Sequence, residues 1–150
     1  DDESGTDTGA VYVFTRTGAA WAPQAKIMAP DVSDNARFGD DVSLSGETLI
    51  VGAPGDTDVA MSTGSAHVYV RSGTTWTREQ RIIADSNAYD QFGASVAVED
   101  DTAAVGMGGV PSGNAFVFSR SQGNWTKQAE LKDSQELPHQ SIYPASLSMK

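Results

Sequence analysis

The feature that most constrains the fold of this chain is an internal repeat. The segments "GAVYVFTRTGAAW", "GSAHVYVRSGTTW" and "GNAFVFSRSQGNW" begin at Gly9, Gly64 and Gly113 and align without gaps. Each passes from a glycine through alternating apolar residues to an arginine, a turn and a tryptophan. Self-similarity at a period of roughly 50 residues is typical of repeat architectures, in which neighbouring units bury each other's apolar faces.

Two shorter motifs recur in the other half of the unit. Phe38-Gly39 returns as Phe92-Gly93, and Gly52-Ala53-Pro54 returns in degraded form at residues 106–108. The loop after the second copy is shorter than the loop after the first. A deletion confined to a loop between intact apolar runs is what a repeat scaffold tolerates.

The apolar pattern predicts four short strands per unit and no helix. Residues 41–45 and 65–71 alternate, and 48–53 form a continuous apolar run, as expected for a strand buried on both faces. Residues 76–83 are the most polar and suit an outer edge strand. Glycine-containing turns separate the runs, and four strands per repeat indicate a β-propeller blade.

We therefore predict an all-β fold made of four-stranded antiparallel blades. The expected organisation is a propeller segment over residues 1–134, with a half blade at 9–28, complete blades at 40–83 and 94–131, and an irregular tail at 135–150. Closed propellers contain about 4–8 blades. Further blades are thus expected from the rest of a longer chain or from a partner.

These motifs resemble the FG-GAP repeat of integrin-α-type β-propellers, and more closely the versions found in bacterial and algal extracellular proteins. The residues that carry the resemblance are Phe38-Gly39, Gly52-Ala53-Pro54 and the glycine-led strand at Gly64. The resemblance implies a propeller at the cell surface or secreted, serving adhesion or ligand binding. In integrins it also implies calcium in some blades.

The integrin calcium position does not carry over. The resemblance places it between the first two strands of a unit, where this chain has the tight turn "SGET" with Glu47 as its one carboxylate. The next unit has Glu99, Asp100 and Asp101 there, but no room for alternating ligands. Calcium usually takes 6–8 oxygen ligands.

A different pair of acidic loops provides the one metal hypothesis for this chain. Asp56 and Asp58 alternate with Thr57, and a second acidic loop at the N-terminus contains Asp1, Asp2, Glu3 and Asp7. Alternating carboxylates in such a loop can wrap a hard cation. The alternative is a solvated acidic turn whose aspartates bond their own backbone. No other cofactor is expected.

Charge limits the partners. The net charge of −10 repels nucleic acid and anionic membrane surfaces, and no apolar stretch is long enough to insert into a membrane. Protein and glycan ligands remain. With no cysteine, disulfides and thiolate metal sites are excluded.

Few residues suggest catalysis, and we predict that the segment is not an enzyme. His67 aligns with Tyr12 and Phe116, which indicates an aromatic packing slot, and His139 lies in the tail. Gly-x-Ser-x-Gly and P-loop motifs are absent from the sequence. Paired carboxylates for glycoside chemistry stay open, because their separation in space decides that role.

Two further features have structural and functional interpretations. Trp21, Trp76 and Trp125 occupy the same position in each unit, which favours packing over sugar stacking. Asn124 begins the sequon "NWT", which matters only in a secreted eukaryotic protein.

The leading hypothesis is a non-catalytic extracellular propeller segment for binding, adhesion or assembly. The alternatives are a scaffold subunit whose missing blades come from elsewhere, and a propeller enzyme or kelch-type domain.

Overall fold

The structure is a computed structural model, and it describes residues 6–57, 63–83, 90–109, 114–132 and 148. Ten β-strands and no helix occur in these ranges, and no span there could cross a membrane as a helix. The strands form two four-stranded antiparallel sheets and one hairpin. The prediction of an all-β fold built from four-stranded antiparallel units is confirmed.

Each sheet is a simple meander, which we call a unit. Unit 1 contains β1 (Val11–Thr17) and β2 (Ala20–Ile27). Unit 2 contains β3 (Val42–Ser45), β4 (Thr48–Ala53), β5 (Ser65–Ser72) and β6 (Thr75–Ile82). Unit 3 contains β7 (Phe92–Glu99), β8 (Thr102–Met107), β9 (Ala115–Ser121) and β10 (Asn124–Leu131). The order within each sheet follows the chain, so β6 and β10 are outer edges.

Unit 2 lies between the other two units. Its central strands carry apolar residues on both faces, and each face packs against one neighbour. Ile50 and Val68 belong to a core shared with Phe92 and Val105 of unit 3. On the opposite face, residues of unit 2 join a second core that reaches unit 1, with Ile27, Phe38, Leu49, Val51 and Tyr69 among its members. Every residue of β4 is buried, as the continuous apolar run predicts.

A β-bulge recurs at the same place in each outer strand. The extra residues are Gln24 opposite β1, Glu79 opposite β5 and Gln128 opposite β9. A bulge leaves one residue outside the ladder and redirects its side chain. The side chains of Gln24 and Glu79 each contact the tryptophan of the following unit.

Candidate functional site

The Phe-Gly and Gly-Ala-Pro motifs meet at the junctions between units. The Gly39 amide donates to the Gly52 carbonyl at 2.9 Å within unit 2. A Cβ placed on Gly52 would lie 2.0 Å from the carbonyl oxygen of Gly93, the Phe-Gly glycine of unit 3. Only glycine permits such an approach of backbones. Both motifs recur because they meet at the junction between consecutive units. At that junction the glycine of each motif must lack a side chain.

The phenylalanine of each Phe-Gly motif packs edge-on against two aromatic rings of its own unit. Phe38 lies 5.3 Å from the His67 ring and 6.1 Å from the Tyr69 ring. Phe92 repeats this at 5.6 Å from Phe116 and 6.2 Å from Phe118. T-shaped pairs at such distances are favourable beyond their area burial. The prediction that His67 fills an aromatic slot is confirmed.

An arginine and a tryptophan stack in every unit. The guanidinium carbons of Arg16, Arg71 and Arg120 lie 5.8, 5.7 and 5.2 Å from the ring centroids of Trp21, Trp76 and Trp125. In units 2 and 3 the arginine also bonds a carboxylate at the tip of the inner hairpin, Glu47 or Asp101. In each of these two hairpins, to which the resemblance assigns calcium in integrins, a guanidinium therefore pairs with one carboxylate.

The tryptophans join consecutive units through the bulges. The Nε1 atom of Trp76 donates to Oε1 of Gln24 at 3.1 Å, and that of Trp125 donates to Oε2 of Glu79 at 2.8 Å. The expectation that tryptophans pack is confirmed for Trp76 and Trp125. It is wrong for Trp21, which is 67 % exposed whereas Trp125 is 3 % exposed. None of the described elements covers that side of unit 1.

Asp56 is the centre of a buried polar network. Its Oδ1 accepts from the Ser33 amide at 3.1 Å, from the Ser33 hydroxyl at 3.2 Å and from the Thr57 amide at 3.0 Å. Its Oδ2 accepts from the Ser65 hydroxyl and from Nη2 of Arg81, both at 2.7 Å. Burial alone raises the pKa of Asp56, but these donors outweigh it and hold the pKa below its ordinary value.

The calcium hypothesis stays a prediction. Asp56 directs both carboxylate oxygens to donors of the chain, and Asp7 lies exposed before β1. Asp1 and Asp58 fall outside the described residues. Within the described ranges, no three histidine or acidic side chains come together as a cation site.

Ser65, His67 and Asp56 form a chain of contacts that differs from a nucleophilic triad. The Ser65 hydroxyl lies between the other two, 2.7 Å from Asp56 Oδ2 and 3.0 Å from His67 Nε2. Because the carboxylate can only accept, the serine proton points to Asp56 and the histidine donates to Oγ. In a triad the histidine stands in the middle and removes the serine proton. This order leaves the Ser65 hydroxyl without a base to remove its proton. Ser65 and His67 are also both buried.

His67 is held neutral by its surroundings. Burial, together with the charges of Arg78 and Arg81, lowers the pKa of His67 to about 4. Its Nδ1 is buried and makes no hydrogen bond within the described part of the chain. A neutral imidazole with one donated bond therefore serves packing here.

Acid should destabilise the protein through His67. Its folded pKa of about 4 lies below the unfolded value of 6.5. The unfolded state therefore binds more protons between these values, and stability present above pH 6.5 is lost as pH falls. Between about pH 7.5 and about pH 5 we expect the unfolding free energy to fall by about 2 kcal/mol from this group.

The variant His67→Phe tests this expectation, because unit 3 already places Phe116 in the same slot. Urea unfolding at both pH values should show a smaller acid-dependent loss in the variant than in the original chain. An equal loss in both proteins would show that His67 does not control this transition. His139 is retained in both chains, so its own titration cancels; its position falls outside the described residues.

The partners that surround Asp56 carry no recognisable sequence signal. Arg81 lies in the polar outer strand and Ser33 in the loop between units, and neither belongs to a recurrent motif. The one informative difference is that Ser65 and His67 replace the alanine and the aromatic residue of the first copy. Asn124 of the sequon is exposed at the start of β10.

Two surfaces at the ends of the stack are left uncovered by the residues that the structure describes. We call Tyr12, Phe14 and Trp21 the head face of unit 1, and Val117, Gln128 and Leu131 the tail face of unit 3. Phe14 is 53 % exposed, whereas its counterpart Phe118 is 5 % exposed. Leu131 is exposed, whereas its counterpart Ile82 is buried. Each face has the residues that join units elsewhere in the chain.

The stacked four-stranded sheets and their glycine-mediated junctions define a protein made of β-propeller-type repeat units. The chain belongs to the FG-GAP repeat family, whose model matches residues 21–69 and 76–118, more than half of the sequence. Both matches begin at a tryptophan of an outer strand and end in the third strand of the next sheet. The sequence repeat therefore spans a junction between units. No curated protein matches the chain.

Proposed function

We propose that this chain is a non-catalytic, extracellular binding and assembly segment that joins protein partners through the open faces of its units. One observation carries the proposal. Consecutive units are joined twice by a hydrogen bond from a tryptophan to a bulged side chain, and the two ends of the stack present one such tryptophan and one such bulged side chain. The head face offers Trp21, and the tail face offers the bulged Gln128. The equivalent pairs Trp76–Gln24 and Trp125–Glu79 connect units 1, 2 and 3.

The chemistry of these faces suits a protein surface with apolar side chains and a hydrogen-bond acceptor. The head face combines exposed aromatic rings with a cation, since Arg16 stacks on Trp21. Exposed apolar patches rimmed by polar groups are typical of interaction sites. A head face that meets a tail face makes a heterologous contact, in which each partner uses a different surface.

A glycan ligand is the second candidate. Trp21 is 67 % exposed, and Tyr12 is also largely exposed. Flat aromatic rings beside polar groups can stack on sugars. A scaffold role within a larger complex, with further blades supplied by the same or another chain, uses the same faces as the leading proposal.

The experiment is sedimentation velocity over a wide range of concentrations. We expect concentration-dependent association that Trp21→Ala and Gln128→Ala each weaken about tenfold, as loss of an interface anchor typically does. Thr75→Ala, an exposed change at the start of β6 in unit 2, is the matched control and should leave association unchanged.

Mixing the two variants gives the decisive readout. Each retains one intact face, so a head-to-tail contact predicts that the mixture associates better than either variant alone. A chain that stays monomeric at every concentration contradicts the assembly role. Binding to a glycan panel that Trp21→Ala abolishes would then favour the second candidate.

A further inference from the structure

A groove lies between the outer strand of unit 2 and the last two strands of unit 3. It encloses about 300 Å³, at the lower end of the range typical of small-ligand sites, and all of its lining residues belong to the described part of the chain. Its floor consists of three buried apolar side chains, Ile82 of β6, Phe118 of β9 and Trp125 of β10. Ile83 adds an exposed apolar wall. The groove belongs neither to the head face nor to the tail face.

The two sides of the groove are held together by one side chain of β6. Oε1 of Gln80 accepts from the Trp125 amide at 2.7 Å, and Nε2 of Gln80 donates to the Trp125 carbonyl at 3.0 Å. These two bonds join β6 to β10 across the junction between units. The groove is therefore preformed, and a ligand need not order its walls, which limits the entropic cost of binding.

An exposed lysine gives the groove its charge. Nζ of Lys127 lies 5.5 Å from the ring centroid of Phe116, and among the described residues it forms no ion pair. Arg81 also lines the groove, but its guanidinium already bonds Asp56. None of the residues that line the groove is acidic, and all of them are described. An anionic group can therefore approach Lys127 without meeting a like charge from the lining.

The junction between units 1 and 2 shows which group this position binds. Arg78 is the counterpart of Lys127, since Arg78 pairs with Tyr69 in the sheet register as Lys127 pairs with Phe118. The Arg78 guanidinium binds both carboxylate oxygens of Asp31, with Nη2 donating to Oδ2 at 2.9 Å. No described residue supplies an equivalent carboxylate to Lys127. A carboxylate is therefore the group expected beside this cation.

We propose that this groove binds a small monocarboxylic acid with an apolar body. The carboxylate pairs with Lys127, and an aromatic ring or branched chain covers Ile82, Phe118 and Trp125. Apolar burial and one charge-assisted hydrogen bond supply the affinity. A single negative charge fits better than a polyanion, because the net charge of −10 repels highly charged anions. The site goes beyond the proposed function and does not depend on it.

The probe is phenylacetate, and phenylacetamide is its matched neutral control. Titration into the isotope-labelled chain near neutral pH, followed by NMR, should give saturable shifts at the amides of residues 80–83 and 125–127. The dissociation constant should be on the order of 1 mM, as a ligand of this size and modest efficiency gives. Phenylacetamide should bind about fivefold more weakly, because it keeps the ring and lacks the charge.

Substitutions of single charged residues locate the contact. Lys127→Gln should weaken phenylacetate about fivefold and leave phenylacetamide unchanged, whereas Lys127→Arg should retain binding of the acid. Lys132→Gln is the matched control, since it removes the same charge from an exposed lysine that already pairs with Glu130. It should leave both affinities unchanged. Asp85→Asn, at a position outside the described residues, should bind phenylacetate as the original chain does.

Four results would overturn the proposal. They are the absence of saturable shifts at the groove, equal affinity for the acid and the amide, equal losses in Lys127→Gln and Lys132→Gln, and binding that appears only in Asp85→Asn. The last result would mean that a carboxylate of the chain itself holds Lys127. Lys127 and Lys132 are both exposed, so their variants are expected to fold, and the dispersion of the same NMR spectra checks this.

Discussion

Replacement of Asp56 by asparagine is expected to lower the free energy of unfolding by about 3–5 kcal/mol, the usual result of removing one partner of a buried ion pair. The Arg81 guanidinium lies 2.7 Å from Asp56 Oδ2 and would keep its charge in a largely buried site. The asparagine amide would also face donors where the carboxylate now accepts. Urea unfolding near neutral pH measures the change.

The Arg71–Glu47 pair provides the matched control. Arg71 bonds Glu47 through two nitrogens, and both side chains are more exposed than those of the buried pair. Glu47→Gln should therefore change stability little, because water screens exposed ion pairs. An Asp56→Asn effect as small as that of Glu47→Gln would contradict the role assigned to Asp56. A double-mutant cycle with Arg81→Gln would separate the pair energy from the loss of the serine bonds.

Replacement of Gly52 by alanine is expected to cost about 3 kcal/mol, the upper end of what overpacking usually costs. The new Cβ would lie 2.0 Å from the Gly93 carbonyl oxygen, and neither group is the end of a flexible side chain. The backbones of units 2 and 3 would have to separate. Faster hydrogen exchange at β7 amides, together with a lower midpoint in urea, would report that separation.

Gly46→Asn is the control for this change. Gly46 has a positive φ of 56° in the turn between β3 and β4, and a Cβ there would meet no atom within 4 Å. Asparagine tolerates this conformation better than most residues. Its effect should be much smaller than that of Gly52→Ala. Equal effects of the two substitutions would contradict the close-approach role assigned to Gly52.

The unit architecture could be predicted from sequence because strand alternation and turn residues are local properties. The run at residues 48–53 predicts a strand buried on both faces, and β4 is such a strand. The polar residues of β6 predict an outer edge, and β6 is one. The role of Gly52 in close packing could also be predicted, since a glycine inside a buried strand often marks the close approach of another backbone.

The buried network could not be predicted, because its members come from distant parts of the sequence. The sequence places Asp56 in an acidic loop of exposed character, whereas its side chain is 2 % exposed. Its donors Ser33 and Arg81 lie 23 and 25 residues away in the sequence. An acidic residue after a strand has the same sequence pattern whether it faces water or a guanidinium. Only the folded loop between units brings Ser33 to it.

The difference in burial between the three tryptophans could not be predicted from the sequence, for a related reason. Equivalent positions predict equivalent packing, but Trp21 is exposed where Trp125 is buried. Burial depends on the neighbour that covers a residue, and a repeat pattern does not state which neighbours are present.

By itself, the sequence determined the fold class, the strand order within each unit and the glycine-dependent junctions, because these follow from side-chain alternation and backbone sterics within short stretches. Tertiary structure decided which carboxylate is buried and which tryptophan is covered. Those properties arise only when strands far apart in the chain pack against each other and compete with water for the same polar and apolar groups.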